Sequence, residues 1–324
     1  MRTAIALTGL AASLACSLAP VSAHARARVF VASYGNDSNP CTFGSPCKTF
    51  QAAISAVDAG GEVTAIDSAG FGPINVTKAV TITSPDGVEA GIVPVAGGDA
   101  IDINAGPSDA VVLRGLTLNG GGVGYNGVVF NSGASLTVTN CVAQNFVRNG
   151  GSFNTGNGIL LQPTSGTVDF TITNTIVANN GDSGIFYFPP SGTATANGAI
   201  DHVVATGNAV FGIAVDTETG GSSTMAVISN SVANNNGNTG IFAANGAGAI
   251  TVSIDNASVS GNSNGITGTN TTKVLLGRSV VTANGTGVSN GTSPNTFFTY
   301  KDNRINSNTS TDISSPLNAA FALQ

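Results

Sequence analysis

The sequence predicts an all-β solenoid, a parallel β-helix of roughly ten coils with a short N-terminal capping helix. Three observations lead there. A phrase recurs: "ITNTIVANNGDSGIF" from Ile172, "IDHVVATGNAVFGIA" from Ile200, "ISNSVANNNGNTGIF" from Ile228, "IDNASVSGNSNGIT" from Ile254 and "LGRSVVTANGTGV" from Leu276. Apolar residues within it alternate with period two, which suits strands and not helices. Asparagine and glycine punctuate every copy, where a chain must turn sharply.

The copies hold register. Asn174, His202, Asn230, Asn256 and Arg278 stand 28, 28, 26 and 22 residues apart. Six positions after them come Asn180, Asn208, Asn236, Asn262 and Asn284, and then Ile185, Ile213, Ile241, Ile266 and Val288, each preceded by glycine. One coil cannot bury its own apolar face and needs a neighbour above and below. Coils stack at about 4.8 Å, so like residues lie over like. An amide both donates and accepts, so the five asparagines are expected to form an inward ladder.

In chain order, residues 1–25 read as a secretory signal: Arg2, then an apolar stretch, then "AHA" at Ala23–Ala25 as a small-x-small cleavage site. Thr8, Ser13, Ser17 and Pro20 interrupt the apolar stretch and argue against a membrane anchor, and no later stretch could span a bilayer. Residues 26–61 are expected to cap the first coil. Cys41 and Cys47 flank "TFGSP" and are expected to pair in the oxidising conditions outside the cytoplasm, leaving Cys141 as a small buried hydrophobe. "TFQAAISAVDAGG" places Phe50, Ala53, Ile54 and Val57 on one helix face, with Gly60 as the stop. The solenoid is expected over 62–308, a rod about 50 Å long, with 309–324 as a C-terminal tail. "NGGSFNTGNG" lengthens one coil into a surface bulge. Forty-three glycines suggest low complexity, but the regular aliphatic columns and 41% hydrophobic content argue against disorder.

Net charge is −6 and the few charges are scattered, so no basic patch exists for nucleic acid. Charged residues make up 9%, against about 25% in typical domains, so Ser, Thr, Asn and Gly must cover the surface.

The stretch "VFVASYGNDSNPCTFGSPCKTFQAAISAVDAGGEV", with "TNCVAQN" and "ISNSVANNNGNTGI" downstream, resembles secreted right-handed parallel β-helix proteins of the pectate-lyase-like superfamily, from a bacterial group without an established activity. The resemblance covers nearly the whole chain after the signal. It implies a right-handed fold and a polysaccharide or cell-surface glycan as partner, but no single function, because this architecture hosts lyases, hydrolases, esterases, epimerases and adhesins. Hydrolysis of the polygalacturonase kind needs paired acids. That group's adjacent aspartates, Gly-His-Gly and Arg-Ile-Lys are missing, and "RIN" at Arg304–Asn306 is a partial echo. Elimination of the pectate-lyase kind needs a calcium-binding acidic cluster and a basic residue, and no carboxylates cluster in the sequence. No other cofactor or metal site is indicated.

The weak catalytic candidates are Asp201, His202, Asp216 and Glu218. His202 shares the parity of the interior aliphatics and reads as a substituted ladder residue. Asp201 points the other way, with Asp255 two coils off at about 10 Å. Asp216 and Glu218 read as a solvated turn. Weak ligand-binding candidates are the aromatics Tyr187, Phe298 and Tyr300, while Phe186 and Phe242 fall in one column and share a face. Two readings follow. One is an exported structural or glycan-binding rod. The other is a polysaccharide lyase, hydrolase or epimerase with its site on a lateral face. The scarcity of charge favours the first.

Overall fold

A computed structural model describes residues 26–190, 194–217, 220, 223–246, 248–291 and 296–319. The expected signal at 1–25 lies outside them. Among the described residues the chain winds as a right-handed parallel β-helix with three sheets of 12, 10 and 10 strands, every neighbouring pair separated by a crossover. Each of ten turns contributes one strand to the first sheet, one to the second and one to the third.

The interior is built from files of like residues. On the first sheet Val63, Ile82, Leu113, Val138, Ile172, Ile200, Ile228, Ile254 and Leu276 stack in register, all fully buried. On the third, Ile74, Ile101, Val128, Ile159, Ile185, Ile213, Ile241, Ile266 and Val288 do the same. Burying each such side chain contributes about 1.5–3 kcal/mol.

Two left-handed corners per turn close the coil. The first runs through Asn140, Asn174, His202, Asn230, Asn256 and Arg278, and the second through Asn145, Asn179, Asn235, Ala283 and Ser307, all at positive φ. The first corner corrects the expectation for His202. A left-handed residue breaks the in–out alternation of the strand before it. Ile172 points in and Thr173 out, the corner residue stays out, and Thr175 points in. His202 therefore lies on the surface, its side chain 59% exposed.

The second corner delivers the ladder. The side-chain amide of Asn180 donates to Asn208 Oδ1 at 2.9 Å, Asn208 to Asn236 at 2.9 Å, Asn236 to Asn262 at 3.0 Å and Asn262 to Asn284 at 2.9 Å. Each backbone N–H of the file donates to the same oxygen as its side chain. The file goes one step further than the repeat suggested. Asn284 donates to Asn308 at 3.0 Å, and Asn308 to the Asp312 carboxylate at 2.9 Å. The backbone N–H of Asn308, then its side-chain amide, hold the Asp312 carboxyl below the usual carboxylate range. A row of aligned amide dipoles thus ends on a negative charge, which is the favourable polarity.

The tail expected from residue 309 is instead a continuation of the solenoid. Thr311–Ile313 pairs with the third-sheet strand Thr286–Asn290, and Asn318–Ala319 with the first-sheet strand Phe297–Thr299. The physical reason is that the ladder end at Asn308 and the sheet edges at Thr286–Asn290 and Phe297–Thr299 still need partners, which these residues supply. Residues 320–324 lie outside the described residues.

At the other end the first sheet begins earlier than residue 62, with Arg28–Val31 paired to Gly61–Ala65. Its free edge is closed by the Cys41–Cys47 disulfide loop: Phe30 N donates to Cys41 O at 2.8 Å, and Cys47 N to Phe30 O at 3.0 Å. The helix Phe50–Ala56 covers the mouth of the core. Thr49 caps it, and Phe50, Ala53 and Ile54 are buried. At seven residues it is too short to hold itself and depends on packing, with the Phe50 and Phe71 rings 5.0 Å apart. Cys141 is buried and free, and burial pushes its thiol up to about 11, which makes it inert.

Candidate functional site

Of the catalytic candidates named from the sequence, Asp201 and His202 meet each other, while Asp216 stands on another sheet. Asp201 ends a first-sheet strand, His202 occupies the corner after it, and Asp216 sits on the third-sheet strand Phe211–Thr217. Glu218 lies outside the described residues.

At the corner, Asp201 Oδ2 meets His202 Nδ1 at 2.6 Å, and Oδ1 accepts from Ser229 Oγ and Asn230 Nδ2 at 2.7 Å each. These bonds, Ser229 first, hold the Asp201 carboxyl down at about 2. Asp255 is engaged in an ion pair by Arg278. A carboxylate that stays ionised and has its lone pairs filled is a poor proton carrier, since a general acid or base needs a pKa near the working pH. The corner reads as a fastening between turns.

Asp216 corrects the solvated-turn expectation: it is 8% exposed, because the strand runs on through it opposite Ala244. Tyr187 corrects the ligand-binding expectation. Ile185 and Tyr187 both point inward, so Tyr187 is buried in the core with its ring 5.9 Å from Phe170. Phe298 lies half-buried on the outer face of the first sheet with Lys273 Nζ 5.4 Å above its ring, and Tyr300 is 36% exposed beyond it. They make no concave site.

The feature that stands out is the outer face of the third sheet. One outward column runs Asn75, Asp102, Val129, Leu160, Phe186, Ala214, Phe242, Thr267 and Ser289. Val129, Leu160, Phe186 and Ala214 form a small buried cluster of their own outside the solenoid core, with Phe188, Phe211 and Phe242 packed half-exposed on it. The rings run on from turn to turn. Phe153 to Phe188 is 6.4 Å, Phe188 to Phe186 4.8 Å, Phe186 to Phe211 6.2 Å, and Phe211 to Phe242 4.5 Å in a parallel stack. Toward the N-terminus the strip gives way to an amide ladder: Asn104 donates to Asn75 at 3.1 Å, Asn131 to Asn104 at 3.1 Å, and Gln162 to Asn131 at 2.8 Å.

The bulge loop borders this face. Phe153, 47% exposed, reaches across to Phe188. The Arg148 guanidinium lies 4.5 Å from the Phe153 ring and donates to the Gly151 and Ser152 carbonyls. Its Nε is 3.1 Å from the fully buried Asp182 carboxylate. Beside the loop a second amide chain links Asn157 to Asn126 at 3.2 Å and Asn126 to Asp99 at 2.8 Å.

Burial pushes Asp99 and Asp182 each up to about 6, and raises Asp102. An acid raised on folding holds its proton more tightly in the folded chain. Its contribution to stability is full below the ordinary carboxylate range and is lost as pH rises through about 6. Between pH 7 and pH 4 the Asp182 share amounts to about 2 kcal/mol. Urea midpoints measured across that window should climb toward acid in the wild type and climb less in Asp182→Asn. Equal slopes would show that Asp182 is not desolvated.

Sequence reasoning found the Phe186–Phe242 column but not Asp99, Asp102 or Asp182. Each occurs once, with no counterpart in the neighbouring copies to give it a column. Among the described residues no three His, Cys, Asp or Glu side chains gather as metal ligands. No helix among them is long and apolar enough to cross a membrane.

A family profile described as a right handed beta helix region matches residues 101–280. Among solved structures the chain is similar to pectate lyase Pel9A at 17% identity, covering 92% of this chain and 78% of that one, with a TM-score of 0.49. It is similar to a GH136 lacto-N-biosidase from Eubacterium ramulus at 9% identity, covering 92% and 68%, TM-score 0.47. An alginate lyase from Paenibacillus sp. str. FPU-7 shares 13% identity, covering 90% and 99%, TM-score 0.42. Likenesses this distant describe the fold alone. No curated protein sequence matches the chain.

Proposed function

Since the chain belongs to the right-handed β-helix family, we propose that it is an exported structural and polysaccharide-binding rod whose glycan lies along the outer face of the third sheet. The observation that carries this reading is the run of Phe153, Phe188, Phe186, Phe211 and Phe242 on a lateral face, with Phe186–Phe188 and Phe211–Phe242 stacked and the contacts between them tilted or edge-on. Adjacent turns repeat at about 4.8 Å, close to the length of one sugar ring, so a chain of sugars can meet the strip turn by turn. The C–H faces of the sugars would rest on the half-exposed rings, and their hydroxyls would meet the amides of Asn75, Asn104, Asn131 and Gln162. Export is supported by the signal-like residues 1–25 and by the Cys41–Cys47 disulfide, which persists only in an oxidising compartment.

A second reading, a polysaccharide-active enzyme, is favoured by one observation: Asp99 and Asp102 stand close enough for the charge of Asp102 to raise Asp99 further. Glycosidic proton transfer calls for one carboxyl of raised pKa beside a second that stays ionised, and Asp99, pushed up to about 6, fits the first role.

One experiment separates the two. The protein is run through affinity gels cast with polysaccharides, and the same mixtures are assayed for reducing ends and for ultraviolet-absorbing unsaturated products. The rod reading predicts retention that weakens about tenfold in Phe211→Ala/Phe242→Ala, one ring pair at a stacking contact, with no product in either assay. Product that disappears in Asp102→Asn would establish the enzyme. Retention unchanged by the double substitution would remove the strip as the binding face.

A further inference from the structure

Resting on that reading, we propose that the glycan taken by the third-sheet face is an uncharged polysaccharide and not a polyuronate. The observation is the distribution of cations. No strand of the third sheet carries a lysine or arginine among the described residues, and the charged side chains it does carry are Asp102, Asp216 and Asp312. Asp99 borders the same face through its bond to Asn126. Arg148, beside the bulge loop at the margin, is committed to Asp182, to two loop carbonyls and to the Phe153 ring. The other cations sit elsewhere or are engaged: Arg28, Arg114 and Lys273 on the first sheet, Arg278 and Lys301 at its corner, Arg304 on the second, Arg26 and Lys48 in the N-terminal cap, and Lys78, two residues past the third-sheet strand Ile74–Val76, tied to the Val57 carbonyl.

A polyuronate brings one carboxylate per sugar. Laid on this face it would meet fixed negative charges within a Debye length of about 8–10 Å and no cation to pair with. An uncharged polymer meets no such penalty, and the face suits it. Aromatic rings accept the apolar faces of sugars. Along the ladder Asn104 and Asn131 each use one N–H and one oxygen lone pair, Asn75 only accepts and Gln162 only donates, so every amide keeps an N–H and a lone pair for hydroxyls.

The test compares neutral polymers (β-glucan, galactomannan, xylan) with polygalacturonate and alginate in affinity gels, using the whole protein, Phe211→Ala/Phe242→Ala and Asp102→Lys. The expected result is retention by at least one neutral polymer that persists in about 0.5 M sodium chloride, where charge attraction is screened. Retention by the polyuronates should be weaker by about tenfold or more, and Asp102→Lys should narrow the gap by strengthening polyuronate binding. Thermal unfolding of each variant confirms that it is folded. If polyuronates are held as tightly as neutral polymers and the phenylalanine substitutions abolish both, the charge inference falls while the strip stands. If no polymer is retained, the proposed function falls and this inference with it.

Discussion

Asn236→Ala should lower the unfolding free energy by roughly 3–6 kcal/mol, the sum of two or three buried polar groups left without partners at about 1–3 kcal/mol each. Asn236 Oδ1 accepts both the side-chain and the backbone N–H of Asn208, at 2.9 and 3.1 Å, and its own amide donates to Asn262 at 3.0 Å and to the Ala205 carbonyl at 3.2 Å. Asn236 is 2% exposed, so water cannot step in without opening the turn. Asn197→Ala is the control. Asn197 donates to Asp169 at 3.0 Å on the exposed outer face of the first sheet, and its loss should cost no more than about 0.5–1 kcal/mol. Urea unfolding of both variants reads the difference directly. Equal losses would mean that the ladder is incidental to the stack.

Gly212→Ala should cost roughly 2–3 kcal/mol, in the range of overpacking a tight interior. The glycine before Ile159, Ile185, Ile213, Ile241 and Ile266 is required by its neighbours. A Cβ at Gly212 would stand 2.6 Å from the Gly240 carbonyl oxygen and 2.8 Å from Asn236 Nδ2. The ladder amide fills the space a side chain would take, and the same clash repeats at Gly184, Gly240 and Gly265. Gly91, in the second-sheet strand Ala90–Ile92, meets nothing closer than 3.5 Å. Gly91→Ala should be neutral or stabilising by up to about 1 kcal/mol, through the reduced freedom of the unfolded chain. Opposite signs for the two substitutions in thermal unfolding would bear out the ladder as the cause. A matching small effect at both would contradict it.

These two substitutions bear on what was legible in the sequence. The inward files could be read because burial imposes one chemistry on a column, and Asn180 to Asn284 announced themselves by recurring. Asn308 escaped because the copy around it is short and lacks the Gly-Ile step. The corners were misread for a geometric reason. One left-handed residue per corner shifts the parity of all that follows, so counting in twos from Ile200 placed His202 inside. The side taken by Tyr187 is hidden in the same way, since which of three adjacent aromatics points out depends on where the strand restarts after Asn180. The outer face of the third sheet was legible only in part. Phe186 and Phe242 gave a column, but Phe153 joins them through a loop whose path no periodicity encodes. Asp182 reads as a turn residue in "NNGDSG", and only the fold reveals that Arg148, 34 residues earlier, closes over it.

The most direct test of the account is a crystal structure of the protein with a neutral oligosaccharide bound. The account predicts sugar rings lying over Phe211 and Phe242 and running along the stack of turns, with hydroxyls reaching the amide ladder near Gln162. A ligand seated instead at the Asp201–His202 corner, or on the outer face of the first sheet, where Met225 and Val227 of the strand Thr224–Ser229 are exposed, would contradict it.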